Sequence, residues 1–339
     1  MPRLLRTYGD VFLVFAAVGL LRLVLPAPYV THVVLFSIYT MGFSFLLGRL
    51  GRVSFGQPAY LGIGAYATGI YLHYFGTNPY AGLLVGVAVG VLFSLTIGAL
   101  FVRLSSDYFA LANLALCTIC FFLFQKALVG VTRGDTGLWY LARISRTAVL
   151  DLRNPDHVFI VTLLTAVAVW VLVKYIDRTV YGAACLAVKS NERKLEFLGY
   201  STFRVKWAGF ILANTFAALS GSLYAVYLGF VSPAMVDPVR AAEVVVVGLL
   251  GGVGSVYGPL LGSLLYIAMQ DLLSAVVVYW ELFVGVLLVL VMLGGEKGLA
   301  ATLEPLARKG MGLLFGRRQS AGNGEVDPGR RTGQSGEGV

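Results

Sequence analysis

Tyr80-Ala-Gly-Leu-Leu-Val-Gly-Val-Ala-Val-Gly-Val-Leu-Phe-Ser-Leu-Thr-Ile-Gly-Ala-Leu-Phe-Val102 runs for 23 residues without a charged side chain. A helix needs about 20 apolar residues to cross the hydrocarbon of a bilayer, so this stretch reads as a membrane span. Working outward, similar runs lie near Val11–Leu25, Tyr29–Leu47, Pro58–Phe75, Tyr108–Val129, His157–Tyr175, Lys206–Phe230, Tyr257–Gln270 and Tyr279–Leu293. A further run, Glu243–Leu250, is too short to cross as an ordinary helix, and with its neighbour it reads as a broken or re-entrant pair. The expected fold is therefore an all-α polytopic transmembrane bundle of eight to ten spans.

Composition agrees with this reading. Of the 339 residues, 58% are hydrophobic and only 13% charged, against roughly 25% charged in soluble domains. The mean hydropathy is +0.81. Arg3 and Arg6 give the chain a basic start, but the run that follows ends at Pro26-Ala27-Pro28 without a cleavage-like site, so it is expected to be a retained first span. The net charge of +9 does not indicate a nucleic-acid binder, because Lys and Arg fall mainly between apolar runs.

The distribution of those cations predicts orientation. Lys174, Arg178, Lys189, Arg193, Lys194, Arg204 and Lys206 crowd one loop against Asp177, Glu192 and Glu196. Arg49, Arg52 and Arg103 fall on the same side if the N-terminus is inside, and ten crossings would place both termini in the cytoplasm. The loop Gly130–Asp156 is nearly charge-balanced, as an outside loop can be.

Small residues recur at every fourth position in two spans, at Gly82, Gly86, Gly90, Ser94 and Gly98, and at Ala213, Ala217, Gly221, Ala225 and Gly229. Such stripes share one helix face and allow close helix packing in lipid. The spans are expected to form one domain over 1–299, followed by a cytoplasmic tail over 300–339 that is expected to be disordered from about Gly316.

Motifs for chemistry are few. No GxxxxGK[ST] loop is present, so nucleotide binding through a P-loop belongs to another chain. His32, His73 and His157 are scattered, and Cys117-Thr-Ile-Cys120 sits inside an apolar run where packing explains it, as does Cys185 elsewhere. No cofactor or metal is implied. The glycines from Gly248 to Gly258, followed by Pro259, lack dinucleotide-loop spacing and read as a sharp break between membrane segments. Asp10, Arg22, Asp107, Lys126, Glu243, Asp271 and Glu281 all fall near span ends, which gives little support to an ion-coupled relay.

The stretch Tyr181–Tyr200 reads differently. It suggests a short helix that begins near Ser190 or Asn191 and stops at Gly199, with Glu192 and Glu196 one turn apart and Val188, Leu195 and Leu198 on another side. Such an amphipathic element either rests on lipid headgroups or docks a soluble partner.

Five blocks in order then resemble one family. Gly48–Tyr66, containing Ser54-Phe-Gly56, Ala59-Tyr60-Leu-Gly62-Ile-Gly64-Ala65-Tyr66, is similar to the signature block of the LivM-type permeases of branched-chain amino acid ABC importers. Tyr108–Leu111, Thr132–Leu138, Asn191–Gly199 and Gly251-Gly252-Val-Gly254-Ser-Val-Tyr-Gly258-Pro259 extend the resemblance from about Ser37 to Leu299. Ser106-Asp107 and Gly294–Gly298 depart from the family pattern.

The resemblance implies a non-catalytic permease in a bacterial cytoplasmic membrane. Its expected partners are a homologous LivH-type permease, two ATP-binding subunits and an extracytoplasmic substrate-binding protein. Asn191, Glu192, Glu196, Leu198 and Gly199, within a loop over about 177–204, are expected to couple to the ATPase. Gln57, Tyr60 and Tyr66 are candidate pathway residues, with interhelical bonding or interfacial anchoring as the other reading of them. Gly62, Gly64, Gly251, Gly252, Gly254 and Gly258 are expected to be structural. Branched-chain amino acids lead as cargo, with amides, urea or other small polar solutes open. A self-contained secondary transporter or channel is the competing class, and it would need central ionisable groups or an inverted repeat.

Overall fold

The protein is described from a computed structural model, which defines residues 11, 14–22, 25–145, 151–274 and 280–293. After a helical segment α1 over 14–21 come α2 (Ala27–Phe45), α3 (Gln57–Ile70), α4 (Pro79–Phe101), α5 (Ser106–Phe122) and the single turn α6 (Val129–Thr132). They are followed by α7 (Pro155–Asp177), α8 (Val180–Phe197), α9 (Thr202–Leu228), α10 (Val239–Gly251), α11 (Gly258–Ser274) and α12 (Trp280–Leu293). The expected all-α bundle is what forms, and the described residues belong to one unit, 1–301. The expected tail beyond 300 lies outside the described residues.

The starts of these helices follow from sequence. Proline stands in the first turn of α2, α3, α4 and α7, where its missing N–H has no helical acceptor to lose. Asn78 and Asn154 cap α4 and α7 by accepting from the amides of Tyr80 at 3.0 Å and Asp156 at 3.2 Å. Three helices widen into π-helical turns at their ends, Leu46–Leu50 after α2, Tyr71–Phe75 after α3 and Leu123–Ala127 after α5. Among the described residues, five helices are long and apolar enough to cross a membrane: Ala27–Leu50, Pro79–Phe101, Ser106–Ala127, Pro155–Asp177 and Thr202–Leu228.

Helix α9 is the hub, packing against α2, α3 and α4. On α4, the buried face is Gly82, Gly86, Gly90, Ser94 and Gly98 with Pro79, so the small-residue stripe is the contact surface. Its other faces carry Leu84, Leu92 and Leu100, each more than 60% exposed, as a lipid-facing surface would be. The α3–α9 contact is closer still. A methyl group on Gly221 would overlap the Leu61 carbonyl, and one on Gly64 would overlap that of Ala218.

The bundle has two distinct ends. At one, a two-residue antiparallel ladder pairs β1 (Leu138–Trp139) with β2 (Phe230–Val231). Arg22 donates to Asp156 at 2.6 Å near the same end. At the other end, Arg49, Arg52 and Arg103 meet the loop from Asp177 to Lys206, the grouping that the charge distribution predicts.

Candidate functional site

The loop between α7 and α9 builds the first site. Thr179 starts α8 by accepting from the Gly182 amide at 3.3 Å. The helix continues to Asn191, whose φ of −164° and ψ of 101° break it. The Asn191 side-chain oxygen then accepts from the Lys194 amide at 3.0 Å, which is the N-cap bond of a new turn. Gly199, at φ +83°, ends that turn, and its amide donates to the Glu196 carbonyl at 2.9 Å. The expected short helix is therefore present over 192–197, and the preceding stretch is helical too.

Charges clamp this helix onto the bundle. Glu192 accepts from the buried Lys206 ammonium through one oxygen and lies 3.7 Å from Arg52 through the other. Arg52 also donates to the carbonyls of Leu104 at 3.0 Å and Val102 at 3.4 Å, tying the ends of α2 and α4 to the loop. Burial pulls the Arg52 guanidinium below the usual arginine range, and the Glu192 charge opposes that shift. Arg49 and Asp177 form a bidentate pair at 3.0 and 2.7 Å. Lys189 donates to the Gly48 carbonyl at 3.0 Å, and Glu196 accepts from the Thr202 hydroxyl at 2.7 Å.

What this leaves outward is apolar and basic. Leu195 is buried, but Phe197 and Leu198 are 90% and 75% exposed, with Tyr200, Arg193 and Lys194 around them. The sequence reading placed Leu198 with Val188 and Leu195, and Phe197 was missed. Val188 and Leu195 do share the buried side across the break at Asn191, but Leu198 is the residue that ends the helix just before Gly199 turns, so it leaves that side.

The second site is a cavity of about 850 Å³ at the opposite end, between α2, α9, α10 and α11. His32, Phe36 and Tyr39 line it along one face of α2, with Arg240 and Glu243 from α10 and Asp271 from α11. Phe36 stacks on Tyr266, 5.8 Å between ring centroids, and His32 meets Tyr224 edge-on at 5.6 Å. Arg240 is oriented by donating from Nε to the Ala234 carbonyl at 2.8 Å.

Gln57, Tyr60 and Tyr66 do not line this cavity. All three are buried in the bundle, Tyr60 among Phe93 and Phe210 and Tyr66 stacked on Phe124 at 4.2 Å. The glycines form tight contacts elsewhere. A methyl on Gly62 would strike Val236, and one on Gly251 would strike the Gly258 carbonyl where α10 turns into α11. Gly252 and Gly254 in that turn have φ of +104° and +92°.

Residues 26–292 match the profile of the branched-chain amino acid transport system / permease component family. The chain belongs to that family. The permease is 27% identical over 315 residues to the high-affinity branched-chain amino acid transport system permease protein LivM of Escherichia coli K12, covering 85% of this chain and 73% of that protein. It is 23% identical to LivH of the same organism, over 79% of this chain and 92% of LivH. It is also 23% identical to the nucleoside ABC transporter permease protein NupC of Lactococcus lactis, over 52% of this chain and 59% of NupC. No solved structure matches the permease. Family and apolar helices together make it a multi-pass inner-membrane transport protein of the LivM-like kind.

Proposed function

We propose that this chain is one of two permease subunits of an ATP-driven importer that carries branched-chain amino acids across a bacterial cytoplasmic membrane. Its partner is a LivH-type permease. Two ATP-binding subunits hydrolyse ATP on the cytoplasmic side, and a binding protein delivers substrate outside. Both termini and the 177–204 loop face the cytoplasm, in keeping with the crowding of cations at that end of the bundle.

The observation that carries the reading is the short helix over 192–197. It is capped at Asn191, stopped at Gly199 and clamped to α9 and the end of α2 through Glu192, yet it leaves Phe197 exposed. An apolar tip on a rigidly held helix suits a soluble partner whose movement must reach the bundle, and Arg193 and Lys194 add a basic rim. ATP-driven closure of the ATPases then pushes on this helix, and the close α3–α9 packing passes the movement on as a rigid unit.

Purification from the native membrane in mild detergent, with mass spectrometry of what accompanies the chain, tests the reading. Recovery of a second permease and P-loop ATPases is expected. A lone chain that transports in liposomes without ATP would overturn it.

A further inference from the structure

The cavity at the end opposite the 192–197 helix combines features that a mere packing defect does not need. Its walls carry a guanidinium, two carboxylates and an imidazole, from Arg240, Glu243, Asp271 and His32. Between them stand aromatic and aliphatic surfaces, Phe36 and Tyr266 stacked together and Leu61 and Ile267 beside them. Two turns beyond His32 along α2, the Tyr39 side chain also lines the cavity. Tyr39 is 2% exposed, and its hydroxyl has no hydrogen-bond partner among the described residues. A buried hydroxyl without a partner costs free energy that a bound ligand can recover.

The charge pattern selects among solutes. A neutral amide or urea has no use for opposite charges gathered around one cavity. A simple cation would be repelled by Arg240, and a simple anion by Glu243 and Asp271. A molecule with a carboxylate and an ammonium on one carbon, followed by an apolar side chain, satisfies every part at once. The volume, about 850 Å³, falls in the ~300–1,000 Å³ range of small-molecule sites.

Resting on the importer reading above, we infer that this cavity is a transit site for a zwitterionic α-amino acid: Arg240 and the Tyr39 hydroxyl donate to its carboxylate, Glu243 and Asp271 hold its ammonium, and Phe36, Leu61 and Ile267 take its side chain. The site opens to the side from which the binding protein delivers, so the amino acid enters with its charges matched before the bundle turns inward.

The test uses the complete complex of both permeases and both ATPases in nanodiscs, without binding protein. Ala268, on the cavity wall, is replaced by cysteine (A268C), and its reaction with a membrane-impermeant maleimide is followed; Leu228→Cys gives the same readout from the rim. The native Cys117, Cys120 and Cys185 are buried and serve as the unlabelled background. L-leucine is expected to slow the labelling, whereas 4-methylpentanoate, which lacks the ammonium, and isoamylamine, which lacks the carboxylate, are not. Equal protection by all three, protection by none, or no labelling of either cysteine would overturn the site.

In proteoliposomes with binding protein, Arg240→Gln is expected to lower L-leucine uptake about tenfold or more, the effect of losing one charge-assisted hydrogen bond, with Arg240→Lys retaining part of it. Wild-type uptake by Arg240→Gln would also overturn it. The two readings fail separately: if no ATPases accompany the chain, the importer reading falls, whereas a complete complex without leucine protection defeats the cavity site alone.

Discussion

Lys206, buried at the start of α9, donates its ammonium to Glu192 of the short helix, and Arg52 approaches the same carboxylate from the end of α2. One acidic side chain therefore joins the loop that faces outward to two of the helices at the bundle's centre. Removing the half-buried Glu192 carboxylate leaves the buried Lys206 charge uncompensated, which costs more than the pair itself contributes. Glu192→Gln is expected to leave membrane insertion intact while lowering ATP-driven uptake severalfold. Reversing the pair with Glu192→Lys and Lys206→Glu together should recover only part of the loss, because Arg52 then faces a new cation. Full recovery by the swap would show that Arg52 plays no part.

Phe197 and Leu198 separate docking from transmission. Both point away from the bundle, so Phe197→Asp or Leu198→Asp should fold and insert normally. Each should reduce co-purification of the ATPases, because a charge is placed at the apolar centre of the proposed contact. Glu192→Gln should instead retain the ATPases and fail in uptake. The two classes are told apart by quantitative mass spectrometry of the purified complex set beside transport assays.

Asn191 makes a third case. Its side chain supplies the cap bond to the Lys194 amide, and losing such a cap costs about 1 kcal/mol of helix stability. Asn191→Ala should raise hydrogen exchange over 192–197, whereas Asn191→Asp or Asn191→Ser, which keep a capping oxygen, should not. Exchange in α9 should stay unchanged in all three.

Much of this was legible in the chain because its signals are local or periodic. The spacing of Gly82, Gly86, Gly90, Ser94 and Gly98 names the buried face of α4 directly, since residues four apart stack on one helix face. Asn191 and Gly199 mark the short helix through their own backbone chemistry. The Glu192–Lys206–Arg52 cluster was not legible as a unit, because nothing in sequence pairs Arg52 with a carboxylate 140 positions away. Phe197 was not legible for a different reason: an isolated aromatic residue among charges carries no periodicity, and it stands on the last residue of the helix, where the chain turns away from the bundle. The cavity escaped for the same reason as the cluster. His32, Glu243 and Asp271 each look like ordinary span-end residues until α2, α10 and α11 bring them together. Gln57, Tyr60 and Tyr66 are polar groups in a glycine-rich span, and the bundle buries all three.

Cys185 should be inert while the protein is folded. It is buried in α8, and burial pushes its thiol up to about 11, partly offset by its hydrogen bond with Tyr181. A thiol with a raised pKa stays protonated through neutral and mildly alkaline pH, so at pH 8 only about one molecule in a thousand carries the reactive thiolate. Maleimide should therefore not label Cys185 at pH 7 to 8 until denaturant is added. Labelling of the native protein at pH 8, located by peptide mass spectrometry, would show that α8 opens from the bundle.

The α3–α9 contact makes the strongest demand on sequence, and two glycines allow a controlled test of it. A side chain at Gly221 would collide with the Leu61 backbone carbonyl, and a backbone atom within a packed helix cannot turn aside as a flexible side chain can. The helices would have to separate, which opens the interface along Gly64 and Ala218 as well. Overpacking of this kind typically costs about 1–3 kcal/mol and more where backbone must move. Gly130 offers the contrast, because a methyl group there meets nothing within 4 Å. Gly221→Val should lower the detergent melting temperature and the yield of monodisperse protein, while Gly130→Ala should change neither. If Gly221→Val melted like the parent chain, α9 would have to sit further from α3 than the structure places it, and force from the 192–197 helix would need another route into the bundle.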